Sequence, residues 1–276
     1  MAVRDPLSAL SRLLRELASG PFREVLHGLD AVLRSGWRSL LLVGGGLLAG
    51  WWLYVPAHEL LHALGCWAAG GEVSRLEIDP IYGARWIAVV FPFVTPGGEY
   101  AGRLAGFDTR GSDWIYFATD LAPFALALWP GFWWLRRAAR AGQAVAYGAA
   151  LPAAFAPLLS LTGDAYEMGS LVVVRLPLWL GQRGLIGDDL VAKVAAVAQL
   201  PDRPPLTGAS LGAGVAVGAL LGLSWALSWM FLARRLGTGA VMPMLMAAEA
   251  RDAGKYQAQG GDAAALVSEE EAHRER

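Results

Sequence analysis

The sequence has little of what a soluble or disulfide-bonded protein needs. Its single cysteine, Cys66, excludes an internal disulfide and gives no information on redox compartment. Charged residues make up only 17%, whereas ordinary globular domains contain about a quarter. The net charge is −1, and no basic patch with interleaved aromatic residues occurs. Nucleic acid is therefore excluded as an expected partner.

Apolar residues are abundant instead, at 55% with twelve tryptophans. This composition predicts an all-α polytopic membrane protein with aromatic side chains at the water boundaries. A helix needs about 20 apolar residues to cross the hydrocarbon. Four segments are long enough, within a predicted core of 39–235: 39–69, 113–135, 143–166 and 210–232. The first apolar run begins near Ser39, behind an Arg-rich amphipathic stretch, which is not the pattern of a secretory signal peptide.

The segments outside the predicted spans have their own patterns. Residues 1–38 predict a pair of amphipathic helices divided at Gly20-Pro21, lying on a membrane surface; a helical hairpin packed on another domain is the alternative. Residues 72–94 carry turn signals and a β-rich run, which predict a small sheet or hairpin at the membrane surface. Residues 95–112 look like a loop, and 187–200 predict a short helix. The polar tail, 236–276, is predicted to be disordered from about residue 248.

Arginine clusters predict the orientation, because short cytoplasmic loops are rich in Lys and Arg. With four spans, three clusters fall on one side: Arg23, Arg34 and Arg38; Arg136, Arg137 and Arg140; Arg234 and Arg235. Both termini of this multi-pass chain are then cytoplasmic, in the cell (inner) membrane. The same arrangement places the polar groups of three spans at similar depth.

The sequence "HELLH", residues 58–62, lies near the end of the first span and matches the pattern HExxH. Positions i and i+4 of a helix face the same way, so His58 and His62 can present two imidazoles to one metal ion. Glu59 lies where it can act on a metal-bound water. Ionisable groups in the bilayer cost about 2.5–3.5 kcal/mol each and usually serve a function. The alternative is a helix end at which His58 and Glu59 only reach interfacial water.

A catalytic zinc site takes three protein ligands and keeps one position for water. Asp164 is the preferred third ligand, since it closes an apolar run, follows a glycine and falls at the matching depth. Glu167, three residues on, could share its face as a supporting partner or as the ligand itself. Asp120, an acid inside an otherwise apolar span, is the other candidate, and its alternative is a hydrated carboxylate at a helix start.

The ordered pattern over residues 40–170 resembles the site-2 protease family of intramembrane zinc metalloproteases, or a divergent zincin-like branch of it. It consists of "HELLHALG" in a first core span, a membrane-surface β element, and a "GD" acid closing a third span. The resemblance implies that His58, His62 and Asp164 hold Zn²⁺ and that Glu59 is the catalytic base. The acid motif here reads Leu-Thr-Gly-Asp, whereas the family's usual run ends Leu-Asp-Gly. The arginine pattern also places the site toward the outer face, whereas the better-known bacterial members carry it nearer the cytoplasm.

The expected function is hydrolysis of a peptide bond in or near the transmembrane segment of a membrane protein or membrane-anchored peptide. An extended substrate could pair with the β-rich residues 85–94 by strand addition. Two alternatives are a membrane protein that binds zinc without hydrolysis and a non-catalytic scaffold descended from a protease. The first predicts more His or Cys than the four histidines and one cysteine present. The second predicts the loss of Glu59 or of one histidine, and all three are present.

Overall fold

The structure, a computed structural model, describes residues 6–34, 36–98, 100–175, 189–199 and 205–239. It is mostly helical with one three-stranded sheet. The chain divides into two compact units, Met1–Arg234 and Arg235–Arg276. In the second unit only the end of a helix, up to Gly239, is described. The disorder predicted from residue 248 lies outside the described residues.

Helix α1, Pro6–Leu33, is continuous and contains Pro21, so the predicted division into two helices is wrong. A proline weakens the helix around it, but contacts with other elements support α1 just beyond this point. Tyr147 donates a hydrogen bond to the Val25 carbonyl, and Val32 is fully buried in the main core. Helix α1 therefore packs on other helices of its own unit as one continuous helix, so the hairpin of the alternative interpretation is not formed either.

A partly buried group of charges also anchors α1. Glu24 accepts hydrogen bonds from Arg136 and from Arg234, and Arg234 also pairs with Glu16 at 3.0 Å. Arg136 donates in addition to the backbone carbonyl of Arg234 at 2.8 Å. We call Glu24, Arg136 and Arg234 the Glu24 ion cluster. It joins three segments that are far apart in the sequence.

Two helices among the described residues are long and apolar enough to cross a membrane, Trp37–Ala68 and Gly212–Leu236. The first is helix α2, Trp37–Ala68. The second belongs to the final helix, Pro205–Gly239. They coincide with the first and fourth predicted spans.

The predicted second and third spans are each divided into shorter helices. Residues 113–135 begin as α4 (Asp113–Leu121), continue through a 3₁₀ turn at Ala122–Phe124 and a π-helical stretch at Ala127–Phe132, and end within α5 (Trp133–Arg140). Residues 143–166 form α6 (Ala144–Ala154) and α7 (Ala156–Leu159), then enter α8 (Asp164–Arg175). Prolines lie at several of these divisions, where a missing N–H interrupts the helical hydrogen bonds.

The predicted small sheet is present, and its first strand lies within residues 72–94, but the other two strands begin at Val94 and Gly102. Strand β1 (Glu72–Ile78) is central, with β2 (Val94–Pro96) parallel on one side and β3 (Gly102–Asp108) antiparallel on the other. Residues 84–90, predicted as extended, form helix α3 (Ala84–Val90). The loop prediction for 95–112 is wrong because β3 lies within it. Strand addition along 85–94 is therefore excluded for most of that segment.

Helix α3 forms because tertiary packing overrides the β propensity of its sequence. Gly83, at φ +78°, ends the preceding 3₁₀ turn in the left-handed region, which glycine adopts without strain. Ala84 is fully buried against Leu76 and Ile78 of the sheet. The opposite face of α3, with Trp86 and Val89, is exposed.

Close helix contacts fix the positions of the elements that carry the polar residues. A Cβ at Gly46 of α2 would lie 2.1 Å from the Val145 carbonyl oxygen of α6. A Cβ at Gly65 of α2 would lie 2.6 Å from the Ala118 carbonyl oxygen of α4. These contacts hold α2 directly against both neighbours, as small residues do in membrane-helix interfaces.

Two further helices complete the described fold. Helix α9, Leu190–Ala198, lies inside the segment predicted to be a short helix. Helix α10, Pro205–Gly239, packs against α8 through Gly222, where a Cβ would lie 2.3 Å from the Ala165 carbonyl oxygen. The position of α8 therefore depends on small side chains in α10.

Candidate metal centre

The C-terminal half of α2 carries the HExxH residues. His58 and His62 are one helical turn apart and are both buried, with 8% and 7% of their surface exposed. Their rings lie 4.9 Å apart, edge to face, and the two Nε2 atoms are 3.2 Å from each other. Both imidazoles therefore present the same ring nitrogen to one point in space.

Asp164, the first residue of α8, completes a group of three. Its Oδ2 atom lies 3.2 Å from His58 Nε2 and its Oδ1 atom lies 3.5 Å from His62 Nε2. The Asp164 side chain is 14% exposed. Within the described part of the chain, His58, His62 and Asp164 are the one set of three or more His, Cys, Asp or Glu side chains whose ligand atoms lie within 4.8 Å of one another.

These separations suit a tetrahedral metal ion. Zinc binds imidazole nitrogen and carboxylate oxygen at about 2.0–2.2 Å in tetrahedral geometry, which separates any two ligand atoms by roughly 3.3–3.6 Å. The two Nε2 atoms are 3.2 Å apart, and the Asp164 carboxylate lies 3.2 Å from His58 through Oδ2 and 3.5 Å from His62 through Oδ1, so each distance lies within about 0.1 Å of that range. In addition, Asp164 Oδ2 is buried without a hydrogen-bond partner. The residues therefore fit a metal ion held by three protein ligands.

The outer nitrogen of each imidazole has its own partner. His62 Nδ1 lies 2.9 Å from the backbone carbonyl oxygen of Thr119 in α4. A carbonyl only accepts, so Nδ1 carries the proton and the Nε2 lone pair is left for a metal. Tyr54 Oη lies 2.9 Å from His58 Nδ1 and can accept from it in the same way. Partners of this kind fix the orientation and tautomer of metal-binding histidines.

Glu59 lies under strand β3. A Cβ at Gly102 would lie 2.2 Å from Glu59 Cγ and 2.6 Å from its Cδ, so the strand passes this close only because residue 102 has no side chain. Glu59 and both histidines line the same cavity. The fold thus places the Glu59 carboxylate beside the group of three, with strand β3 packed against it at Gly102.

The other two candidate ligands lie outside the group of three. Tyr116 of α4 donates a hydrogen bond to Glu167 Oε2 at 2.7 Å. Asp120 is 4% exposed, and its Oδ2 atom is buried with no hydrogen-bond partner. Both carboxylates nevertheless line the same cavity as the histidines.

The cavity has a volume of about 540 Å³, the size of a small-molecule site. Its walls come from α2, α4, β3, α8, the turn before α8, and α9. Five of its lining side chains are carboxylates: Glu59, Asp120, Asp164, Glu167 and Asp189. One basic lining residue, Arg103 of β3, is exposed. The arrangement can hold a cation and activate water beside it.

Sequence reasoning missed several residues that shape the site. Tyr54 is four residues before His58 on the same helical face, and this spacing could have identified it. Thr119 contributes only its backbone carbonyl, which every amino acid has, so no residue type at this position indicates the contact. Gly102 and Tyr116 reach the site through the sheet and α4, so only the folded chain reveals them.

Comparison of the chain with known protein families, curated proteins and solved structures finds no match. Function must therefore be inferred from the geometry of the site itself.

Proposed function

We propose that this chain is an intramembrane zinc metalloprotease, similar to the site-2 protease family, that hydrolyses a peptide bond in or near the transmembrane segment of its substrate. The observation that carries the proposal is the convergence of His58, His62 and Asp164 at 3.2–3.5 Å. The glutamate of the same HExxH pattern lies in the same cavity. Two imidazoles, one carboxylate and an adjacent glutamate form the usual donor set of zinc hydrolases.

Zinc is the metal best suited to this donor set of two nitrogens and one oxygen in tetrahedral array. Bound there, it would polarise the scissile carbonyl and make water acidic enough to ionise near neutral pH. His58, His62 and Asp164 would hold it. The Thr119 carbonyl and the Tyr54 hydroxyl would keep the two rings in the metal-binding tautomer.

Glu59 would act as general base and then as general acid. Its carboxylate would take a proton from the attacking water and later transfer that proton to the leaving nitrogen of the peptide. Gly102 supports this role, since the strand above leaves the Glu59 side chain little room to turn away. Glu59 also lines the cavity, in which an unwound peptide segment could lie.

The proposed arrangement in the membrane has four crossings and both termini in the cytoplasm of a cell (inner) membrane. Helix α2 exposes a row of large apolar side chains suited to lipid, among them Leu40, Leu41, Leu48 and Leu53. The divided segments 113–135 and 143–166 would form the second and third crossings. Broken helices are tolerated at membrane depth where protein surrounds them or where they line a water-filled cavity, and α4 and α8 line the cavity described above.

The metal part of the proposal is tested by the metal content of the purified chain. Wild type should carry about one zinc per chain by mass spectrometry, whereas His58→Ala and Asp164→Ala should carry little. His27→Ala, which changes a histidine of α1 away from the site, is the matched control and should keep the metal. Equal zinc in wild type and His58→Ala would contradict the assignment, and loss in His58→Ala alone would exclude Asp164 as a ligand.

The hydrolytic part is tested by Glu59→Gln, which keeps the shape of the side chain but removes its basicity. This variant should retain zinc and lose cleavage of a transmembrane reporter peptide in liposomes. Cleavage at the wild-type rate would exclude Glu59 as the base. Zinc binding without cleavage by wild type of any reporter in a broad set would favour a metal-binding protein over a protease.

A further inference from the structure

The cavity contains more negative charge than the proposed hydrolysis requires. In the proposed mechanism Asp164 binds the metal and Glu59 takes a proton from water. Asp120 and Glu167 also line the cavity but have neither role. Arg103 is the one positively charged lining side chain among the described residues, apart from the histidines, and it is exposed. A cavity lined by charges of one sign selects ligands of the opposite sign.

Asp120 is the most informative of these residues. It is 4% exposed, and its Oδ2 atom has no hydrogen-bond partner. A buried carboxylate without a partner is costly, and an unsatisfied buried group in a native structure calls for a specific explanation. Glu167 and Asp164 line the same cavity as Asp120, so the charged side chains that accompany it there are mainly carboxylates. Its surroundings within the chain therefore supply negative charge where a positive partner is needed.

Glu167 is held in place beside it. The Tyr116 hydroxyl donates to Glu167 Oε2 at 2.7 Å, which orients the carboxylate and leaves its remaining lone pairs available. Tyr116 and Asp120 are both on α4, one helical turn apart, so they face the same way. Asp120 and Glu167 thus form a pair of acidic side chains on one wall of the cavity, next to the metal centre.

The missing partner is an organic cation and not a second metal ion. Three ligand atoms within 4.8 Å occur at His58, His62 and Asp164 and at no other place in the described residues. Two carboxylates without a third ligand make a poor metal site, but they suit an ammonium or guanidinium group, which donates several separate charge-assisted hydrogen bonds.

We propose that Asp120 and Glu167 form a specificity subsite for a basic side chain, Lys or Arg, of the substrate near the cleaved bond. That the bound peptide is a substrate rests on the proposed protease function, whereas the binding of its basic side chain does not. The substrate class is then a membrane-anchored peptide with a basic residue beside the bond that is cut.

The test measures peptide binding, so that it does not depend on catalysis. The full chain carrying Glu59→Gln, in lipid nanodiscs, is titrated with fluorescent transmembrane peptides in which one Lys or one norleucine is moved through successive positions. At one or two adjacent positions the Lys peptide should bind at least about tenfold more tightly than the norleucine peptide, as expected for a desolvated charge pair. The preference should disappear in Asp120→Asn and decrease in Glu167→Gln.

Asp113→Asn is the matched control. It makes the same substitution on the same helix, but Asp113 pairs with Arg175 at 2.5 Å and does not line the cavity. It should keep the full Lys preference. Circular dichroism and zinc content of each variant show whether the fold is intact.

The inference is overturned if Lys peptides bind no better than norleucine peptides, including the case in which neither binds. It is also overturned if the preference survives Asp120→Asn. Cleavage of the same peptides by the chain with Glu59 intact is measured separately. A Lys preference without cleavage would leave the subsite standing and reject the protease, whereas cleavage without a preference would do the reverse.

Discussion

Replacing Gly102 with alanine should disable Glu59 without disturbing the metal. The new Cβ would lie 2.2 Å from Glu59 Cγ, whereas carbon atoms in contact sit about 3.5–4.0 Å apart. The side chain must therefore move by more than about 1 Å. Because the backbone of β3 is fixed by its pairing with β1, we expect the added methyl group to displace the Glu59 carboxylate and not the strand.

The size of the effect follows from that displacement. A misplacement of about 1 Å can cost about 10²-fold in rate, and each tenfold equals about 1.4 kcal/mol. We therefore expect kcat/KM for a transmembrane reporter peptide to fall about 100-fold, or about 2.7 kcal/mol. Zinc content should stay at the wild-type level, since the three atoms nearest to the new methyl group all belong to Glu59.

Gly106→Ala is the matched control on the same strand. Its Cβ would lie 2.5 Å from Ser74 Oγ and 3.0 Å from Arg75 Cβ, so it strains the sheet to a similar degree but does not touch Glu59. It should retain activity close to wild type. If Gly102→Ala cleaves the reporter at the wild-type rate, or if it loses zinc, the placement of Glu59 under β3 as the confined base is refuted.

Three further predictions concern the surroundings of the site. Tyr54→Phe removes the hydroxyl at His58 Nδ1 and should weaken zinc binding about 10- to 100-fold in a chelator competition; unchanged affinity would show that the hydroxyl does not support the ligand. Glu24→Gln leaves the two arginines of the Glu24 ion cluster without their carboxylate and should lower the free energy of unfolding by about 2 kcal/mol at pH 7. This is less than the roughly 3–5 kcal/mol lost when a fully buried pair is broken, because Glu24 is 21% exposed. Gly222→Ala should lower Tm and zinc affinity together, because the new Cβ would lie 2.3 Å from the Ala165 carbonyl oxygen. Gly to Ala usually stabilises a helix by about 1 kcal/mol, so a higher Tm would refute the close approach of α8 and α10.

The Glu24→Gln effect should also depend on pH. Burial acts to raise the pKa of the Glu24 carboxyl, but hydrogen bonds from Arg136 and Arg234 outweigh it, and the pKa is lowered from its usual value of 4.5. A lowered pKa stabilises the folded chain above the unfolded-state value, and that stabilisation is lost as the pH falls through the folded-state value. The difference in unfolding free energy between wild type and Glu24→Gln should therefore be full at pH 7 and shrink below about pH 4.5. A difference independent of pH would show that the carboxylate charge is not what stabilises the cluster.

The sequence was most informative where the relevant interaction is local. The HExxH pattern predicts two imidazoles on one face because i and i+4 positions coincide on any α-helix. The small sheet was also predictable from the turn signals around Asp79-Pro80 and Tyr82-Gly83. Asp164 is separated from His62 by about a hundred residues, and its selection needed the matching depths of two segments together with the family resemblance.

The features that were not predicted arise from contacts between distant residues. Pro21 suggested a helix boundary, but Tyr147 and the Glu24 ion cluster support α1 beyond it. The β-branched run at 87–90 favours a strand, yet one face of α3 packs on the sheet and makes the helix more stable in this context. Strand β3 lies in a segment rich in glycine and polar residues, and its position is set by pairing with β1. Local propensity does not contain this information.

The hydrogen bond from His62 to the main chain at residue 119 has an evolutionary consequence. A carbonyl oxygen is present whatever amino acid occupies that position, so substitutions there leave the anchor of this ligand intact, provided that α4 keeps its path. Tyr54, by contrast, can be lost in a single mutational step. Among descendants of this chain, one ligand is thus protected against genetic drift by the backbone, and the other depends on continued selection for one aromatic hydroxyl.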